Sequence, residues 1–434
     1  MSKNKKISIK TIFILATLLR IILVLISKSH PDIYNHIDWG KKYFSIGPKK
    51  FYENTFWAVS WPNQPPASIY LFALIERLRQ VIFSAFSYVN QTIPLFPSKL
   101  IFYLEKNLHI ILLKTPLLIA DLLIGLLIYK FGRKKTPNKA KTITALWLFN
   151  PATIYNSAIW GQTDPIINLL ALLSIKKLIE NKHGQAIIFF SLSIFFKLSL
   201  LIYLPIFLIF LVKKLNKNKL KNIFIGTVIS ILIFYLHNIP FKSVPEKNII
   251  DWAIYLYKTK VFQRQGDMLN GNAFNFWLIS YGLDLSNTGN ILLAGIKLKT
   301  YGYIISLFLM AIICLKFYFQ KTKTNLYFLY SLFLTAFTTF LFLTNMHERY
   351  LYPIFPLIAL IMLIQPKLIN IKQYLLLSAI HLVNLYNLWF YPSVSILKNI
   401  LVFNDFIIAK TLSIILIVIY ATHLTKFLKN SEIK

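Results

Sequence analysis

The chain has 434 residues, of which 56% are hydrophobic and only 15% charged, where a soluble protein carries about a quarter charged residues. Its 48 Lys and Arg against 15 Asp and Glu give a formal net charge of +33, yet the basic residues fall in short clusters between apolar runs, as topology determinants do. A soluble globular fold and a nucleic-acid partner are therefore excluded, and with Cys314 as the single cysteine so are an intramolecular disulfide, a CxxC redox motif and a cysteine-based metal site.

In chain order, apolar runs predict membrane segments at residues 9–27, 109–130, 142–159 and 164–179. The first follows several lysines, as a signal peptide would. Arg20 interrupts it and no small-x-small site follows Ile26, so it reads as a retained span. The run 186–212 has basic clusters at both ends and Lys197 in its middle, and reads as two helices or a broken pair. Segments at 223–239, 301–318, 326–343, 351–364, 374–391 and 406–424 complete the set. The expected fold is an all-α polytopic membrane protein, one domain over residues 1–434, with about twelve transmembrane segments (roughly 11–13).

With the N-terminus cytoplasmic and the segments alternating, the basic clusters at 130–141, 176–182, 213–221, 316–323 and 367–372 all fall inside, together with both termini. Glu180 and Glu432 are the acids on that side; the others, apart from Asp121 within a span, fall outside. That segregation places the expected function on the outer face; the expected membrane is a prokaryotic plasma membrane, the outer face corresponding to the lumen in a eukaryote. Two outer segments are long. Residues 28–108 include a mixed stretch, 71–105, suited to amphipathic helices on the membrane surface. Residues 240–300 form the second.

The residues able to do chemistry cluster at these outer positions. Asp32 follows the first span, with Asn35, His36 and Trp39 at helical spacing and Asp38 beside Trp39. A carboxylate held there suits a general base; its bland alternative is a helix cap. Gln162 and Asp164 follow the third segment, and Asp164 could equally cap the fourth. Lys197 either faces a site or snorkels to the interface. His347, Glu348 and Arg349 form a turn between two late spans, where Glu348 and Arg349 could simply pair locally. Arg20, inside the first span, demands a partner, either a protein carboxylate or a phosphate. Asp121 is expected to make a polar contact between helices.

Asp32 with Trp39 seven residues on, followed by Trp61-Pro62-Asn63-Gln64-Pro65-Pro66, resembles the first outer loop of GT-C glycosyltransferases that use polyprenyl-phosphate sugars. The family's acidic residue in that later turn is replaced here by Asn63. Asn150-Pro151, then Trp160-Gly161-Gln162-Thr163-Asp164, is similar to the "WGQxD" turn of the GPI second-mannosyltransferase-like branch. Lys197 in Phe196-Lys197-Leu198-Ser199 resembles that family's lysine at a helix break, and Met346-His347-Glu348-Arg349-Tyr350 its "HER/HEK" turn.

The resemblance implies a glycosyltransferase moving a hexose, with mannose favoured, from a membrane-borne polyprenyl-phosphate donor to a hydroxyl of a glycan or lipid acceptor. Asp32 would be the catalytic base of an inverting attack. Arg349, Lys197, His347 and Arg20 would bind the donor phosphate, and Asp38, Trp39, Gln162, Asp164 and Glu348 would support the acceptor or the site. No cofactor is implied, the lipid-linked sugar being substrate. No metal is demanded, although Asp32, Asp38 and Asp164 are oxygen ligands of a type that binds divalent cations. A transporter or lipid flippase is the alternative; it would place polar groups near the midplane on paired repeats, and no internal repeat is evident.

Overall fold

The computed structural model describes residues 7–244, 247–262, 267–283, 288–321 and 324–429. Residues 245–246, 263–266 and 284–287 of the second outer segment, part of the cluster at 316–323, and the terminal residues including Glu432 lie outside them. The chain is a predominantly helical, polytopic integral membrane protein. Among the described residues, six helices are long and apolar enough to cross a bilayer: Ile9–Ile26, Ser98–Gly132, Lys219–Phe241, Leu298–Phe319, Asn325–Phe342 and Ser395–Lys429.

The chain opens with α1 (Ile9–Ile26), then α2 (Asp32–Ile46), α3 (Pro66–Thr92) and the 35-residue α4 (Ser98–Gly132), which runs without a break from the first outer segment into the bundle. Next come α5 (Pro137–Leu148) and the single turn α6 (Pro151–Ile154), which continues as a π-helical turn to Trp160. The following helices are α7 (Asp164–Ile179), α8 (His183–Phe196), α9 (Leu204–Lys213) and α10 (Lys217–Asn238). The second outer segment contributes α11 (Ile249–Leu256) and α12 (Phe276–Tyr281). The remaining helices are α13 (Leu298–Phe319), α14 (Thr324–Phe342), α15 (Ile354–Ile364), α16 (Ile371–Tyr386) and α17 (Ser395–Lys429), the last interrupted at Phe403–Phe406.

The other segments expected to span are helical but short or divided. The run at 142–159 breaks where Pro151 removes a backbone donor. Asn150 takes over that turn, its Oδ1 accepting from the Ala152 and Thr153 amides at 2.9 and 3.4 Å. At 16 residues α7 and α16 are about 24 Å long, and the 11-residue α15 is shorter still, against a hydrocarbon core of about 30 Å. Their apolar character has another origin in α15, where every residue from Ile354 to Leu363 is buried in protein. A helix enclosed by its neighbours is apolar all round whatever its length. The largest core gathers α14 and α15 with parts of α5, α7 and α9. A second core packs α2 and α3 against Phe241 and α11, joining the two outer segments.

Candidate active site

The site begins at the connection between α1 and α2. Pro31 supplies the helix-compatible backbone that precedes α2, and Asp32 is its first residue. Ile33, His36, Trp39 and Gly40 form the buried stripe of α2, at i, i+3, i+6 and i+7, positions that share one helix face. Asp32 makes no capping hydrogen bond. Its carboxylate turns instead to distant parts of the chain. Gln162 donates to its Oδ2 at 2.5 Å, and Arg349 Nη1 lies 3.8 Å from the same oxygen. The other oxygen, Oδ1, lies 3.5 Å from His30 Nδ1.

Gln162 owes its position to the turn before it. The π-helical turn ends on Gly161, whose φ of +89° favours glycine. A Cβ there would come within 2.9 Å of Ile33 Cδ1. Asp164 opens α7, also without a capping hydrogen bond, and pairs with Lys197 Nζ at 3.0 Å. Lys197 stands where α8 stops and a 3-10 turn begins, with φ −162° and ψ 133°. Ser68 from α3 donates to the Phe196 carbonyl at 2.6 Å.

The third component is the turn after α14. Met346–His347 pairs in parallel with Asn270–Gly271 from the second outer segment. Gly271 lets the His347 ring approach, for a Cβ there would lie 2.8 Å from its Cε1. Arg349 Nη1 also contacts Glu348 Oε1 at 3.3 Å, so the local pair expected from sequence coexists with the long-range one to Asp32. Tyr350 lies against both cations and against the His347 ring.

Electrostatics follow from this crowding. Burial, the largest influence on Asp32, disfavours its charge, but contact with His30 and the Arg349 guanidinium outweigh it and hold the carboxyl well below the usual carboxylate range. Burial pushes His36 down to about 4 and His347 down to about 3, with the nearby cations adding to the effect. Burial raises Glu348 despite the pull of Arg349. Around these groups, Asn35 Oδ1, Gln64 Oε1, Thr163 Oγ1, Asp164 Oδ2 and Arg349 Nε are buried with no hydrogen-bond partner among the described residues. Each such atom costs about 1–3 kcal/mol when unmet, and a ligand bearing hydroxyls or anionic oxygens would satisfy those that it reaches. Among the described residues no three His, Cys, Asp or Glu side chains are grouped to hold a metal ion.

The structure thus brings together Asp32, Gln162, Asp164, Lys197, His347, Glu348 and Arg349. Three sequence candidates fall elsewhere. Arg20 is fully buried between helices, with Nε 3.7 Å from Asp121 Oδ2 and Nη1 donating to the Leu148 carbonyl at 2.8 Å. Ser157 and Tyr352 also donate to the Asp121 carboxylate. Its partner is a protein carboxylate, and the expected phosphate role is corrected accordingly. Asp38 accepts from the Ala58 amide at 2.9 Å, and Trp39 donates from Nε1 to the Ser60 carbonyl at 2.9 Å. Both hold the loop after α2 and neither contacts Asp32. Sequence reasoning missed Gln64, whose Nε2 lies 3.2 Å from His36 Nε2, and Tyr350. The NQPP turn carried Gln64 in plain view, but nothing in its spacing pointed to His36.

A family model described as GPI transamidase subunit PIG-U matches residues 60–282 of the chain. Over 102 residues the chain is 33% identical to GPI mannosyltransferase 1 of Debaryomyces hansenii, an alignment covering 22% of this chain. It spans 24% of the length of that relative.

Proposed function

The chain belongs to the PIG-U family, and from the geometry of its site together with the likeness to a GPI mannosyltransferase we propose that it is a membrane-embedded hexosyltransferase. The donor is a hexose on a polyprenyl phosphate, and the acceptor is a hydroxyl of a glycan or lipid. Mannose is the favoured hexose, through the likeness to GPI mannosyltransferase 1. The site faces away from the cytoplasm, on the outer face of a prokaryotic plasma membrane or the lumenal face of a eukaryotic internal membrane, with both termini cytoplasmic.

The observation that carries this reading is the 3.8 Å approach of Arg349 to Asp32. It sets a proton acceptor beside a cation suited to a leaving phosphate. In the reaction Asp32 takes the proton of the acceptor hydroxyl, and the oxygen forms a bond to the anomeric carbon from the face opposite the phosphate. The bond from that carbon to the phosphate oxygen breaks, and its electron pair leaves with the lipid phosphate. Arg349 and Lys197 stabilise the charge that develops there. His347, neutral at working pH, is suited to orient the phosphate by hydrogen bonding; Glu348 orients Arg349. Gln162 aligns the base, and Asp164 anchors Lys197. A phosphate arriving at Arg349 competes for the cation that suppresses Asp32, so donor binding raises the basicity of the catalytic carboxylate.

The test uses the purified full-length protein, a polyprenyl-phosphate mannose or glucose donor, and release of the lipid phosphate as readout. Wild type releases it in an acceptor-dependent manner, and Asp32→Asn, folded and inserted, does not. Near-normal turnover by Asp32→Asn overturns the base assignment. The family description favours a second reading, a GPI transamidase subunit that transfers no sugar. That reading requires wild type to release no lipid phosphate.

A further inference from the structure

Resting on the transferase reading, we infer that Trp389, with His30 and Trp160, forms an aromatic wall that holds the pyranose ring of a sugar acceptor against Asp32. The two oxygens of the Asp32 carboxylate divide the site. Oδ2 faces Gln162 and Arg349, the side suited to a phosphate. Oδ1 faces His30 at 3.5 Å. The His30 ring in turn lies 4.2 Å from the Trp160 ring and 4.9 Å from the Trp389 ring, centroid to centroid, and the two indoles are 5.6 Å apart. An acceptor hydroxyl delivered to Oδ1 brings its sugar ring alongside this wall.

The backbone carrying Trp389 supports the assignment independently. Trp389 sits between Leu388 and Phe390, whose φ angles are +69° and +46°. Left-handed backbone costs bulky side chains about 1–2 kcal/mol each, and such strain persists only where surrounding structure enforces it. Here the enforcement is visible. Asn387 Nδ2 donates to Asn272 Oδ1 at 2.7 Å, and Asn272 Nδ2 donates to the Asn387 carbonyl at 3.0 Å. The Tyr155 hydroxyl donates to the Tyr391 carbonyl at 2.5 Å, and the Lys28 amide donates to the Tyr391 hydroxyl at 2.8 Å. Hydrophobic burial alone would not produce this turn, because it leaves Leu388 38% exposed while turning the indole inward.

The wall's chemistry fits a hexopyranose. The apolar C–H face of the sugar packs on the electron-rich face of an indole. The Trp160 Nε1 proton is buried with no partner among the described residues, a donor that a ring hydroxyl would satisfy. His30 touches both indoles and Asp32 and so links the wall to the base.

The experiment measures acceptor and donor kinetics, and separately the binding of an octyl hexoside below its micellar concentration, on the full-length protein. Trp389→Ala should raise the acceptor KM and the hexoside Kd by about 10-fold, with donor KM and kcat within about twofold of wild type; Trp389→Phe should restore most of the loss. A protein whose thermal midpoint is unchanged but whose acceptor KM and hexoside Kd are also unchanged in Trp389→Ala overturns the wall. If Trp389→Ala does not fold, Trp389→Leu and Trp389→Phe must differ in hexoside Kd; equal values overturn it. A wild type that binds the hexoside through Trp389 yet transfers no sugar refutes the transferase reading and leaves the sugar subsite standing. A wild type that binds no hexoside overturns the inference.

Discussion

Lys197 and Arg349 converge on one aromatic ring: the ammonium of the first and the guanidinium carbon of the second each lie 5.3 Å from the centroid of Tyr350. The ring attracts both cations through its negative face and so adds to the hold of Asp164 on Lys197 and of Asp32 and Glu348 on Arg349.

Removing that face should loosen both cations. Tyr350→Leu is expected to raise the donor KM by about 5- to 10-fold, and Tyr350→Phe to stay within about twofold, since the ring and not the hydroxyl does the holding. Equal donor KM values for the two variants would show that the ring is not what positions the cations.

The Lys197–Asp164 pair is mostly enclosed, with side-chain exposures of 14% and 6%. Lys197→Met leaves a carboxylate buried without its cation, which destabilises by about 3–5 kcal/mol. Thermal unfolding in detergent should therefore show a lower midpoint for Lys197→Met than for the double variant Lys197→Met/Asp164→Leu, although both lose transfer activity.

Arg20 and Asp121 make the same argument deeper in the bundle. Arg20→Leu should cost about 3–5 kcal/mol of stability, while the surviving folded protein keeps a donor KM near that of wild type. A large rise in donor KM at unchanged stability would return Arg20 to the phosphate site.

Acid should destabilise through the histidines. His36 and His347 are pushed down in the folded state to about 4 and about 3, so the unfolded chain binds their protons first. Their contribution to stability is complete above about pH 6.5 and is lost as pH falls below it, at up to about 1.4 kcal/mol per pH unit for each. The Asp32 carboxyl, held well below its usual range, contributes stability above about pH 4 that is lost at lower pH. The thermal midpoint of His36→Gln should accordingly fall less steeply than that of wild type between pH 6.5 and about pH 4.5. Parallel slopes would count against the burial of a neutral imidazole at that position.

The parts legible in the sequence were those that strain a membrane setting. Asp32 and the 347–349 turn are charges at the ends of apolar runs and Lys197 is a charge within one, conspicuous because the bilayer tolerates few of them. Arg20 was equally conspicuous, but one sequence cannot reveal which of several carboxylates meets it, and Asp121 was the answer. Of the expected segments, six helices among the described residues are long and apolar enough to span, and apolar content does not distinguish a helix facing lipid from one enclosed by protein. In α15 the enclosure is nearly complete. Trp389 stayed hidden for the opposite reason: tryptophans at helix ends are ordinary interface residues, and only the left-handed backbone on either side of it sets this one apart.

The pause at Lys197 has a last consequence. Had the 3-10 turn at Leu198–Tyr203 been α-helical, the path from α8 into α9 would have run as one rod, and its lysine would have left along the helix surface. Because a single residue is stretched there and Ser68 occupies the carbonyl just before it, the ammonium departs sideways toward Asp164. A sequence change that mended the rod would disarm the protein while leaving every charged residue in its place.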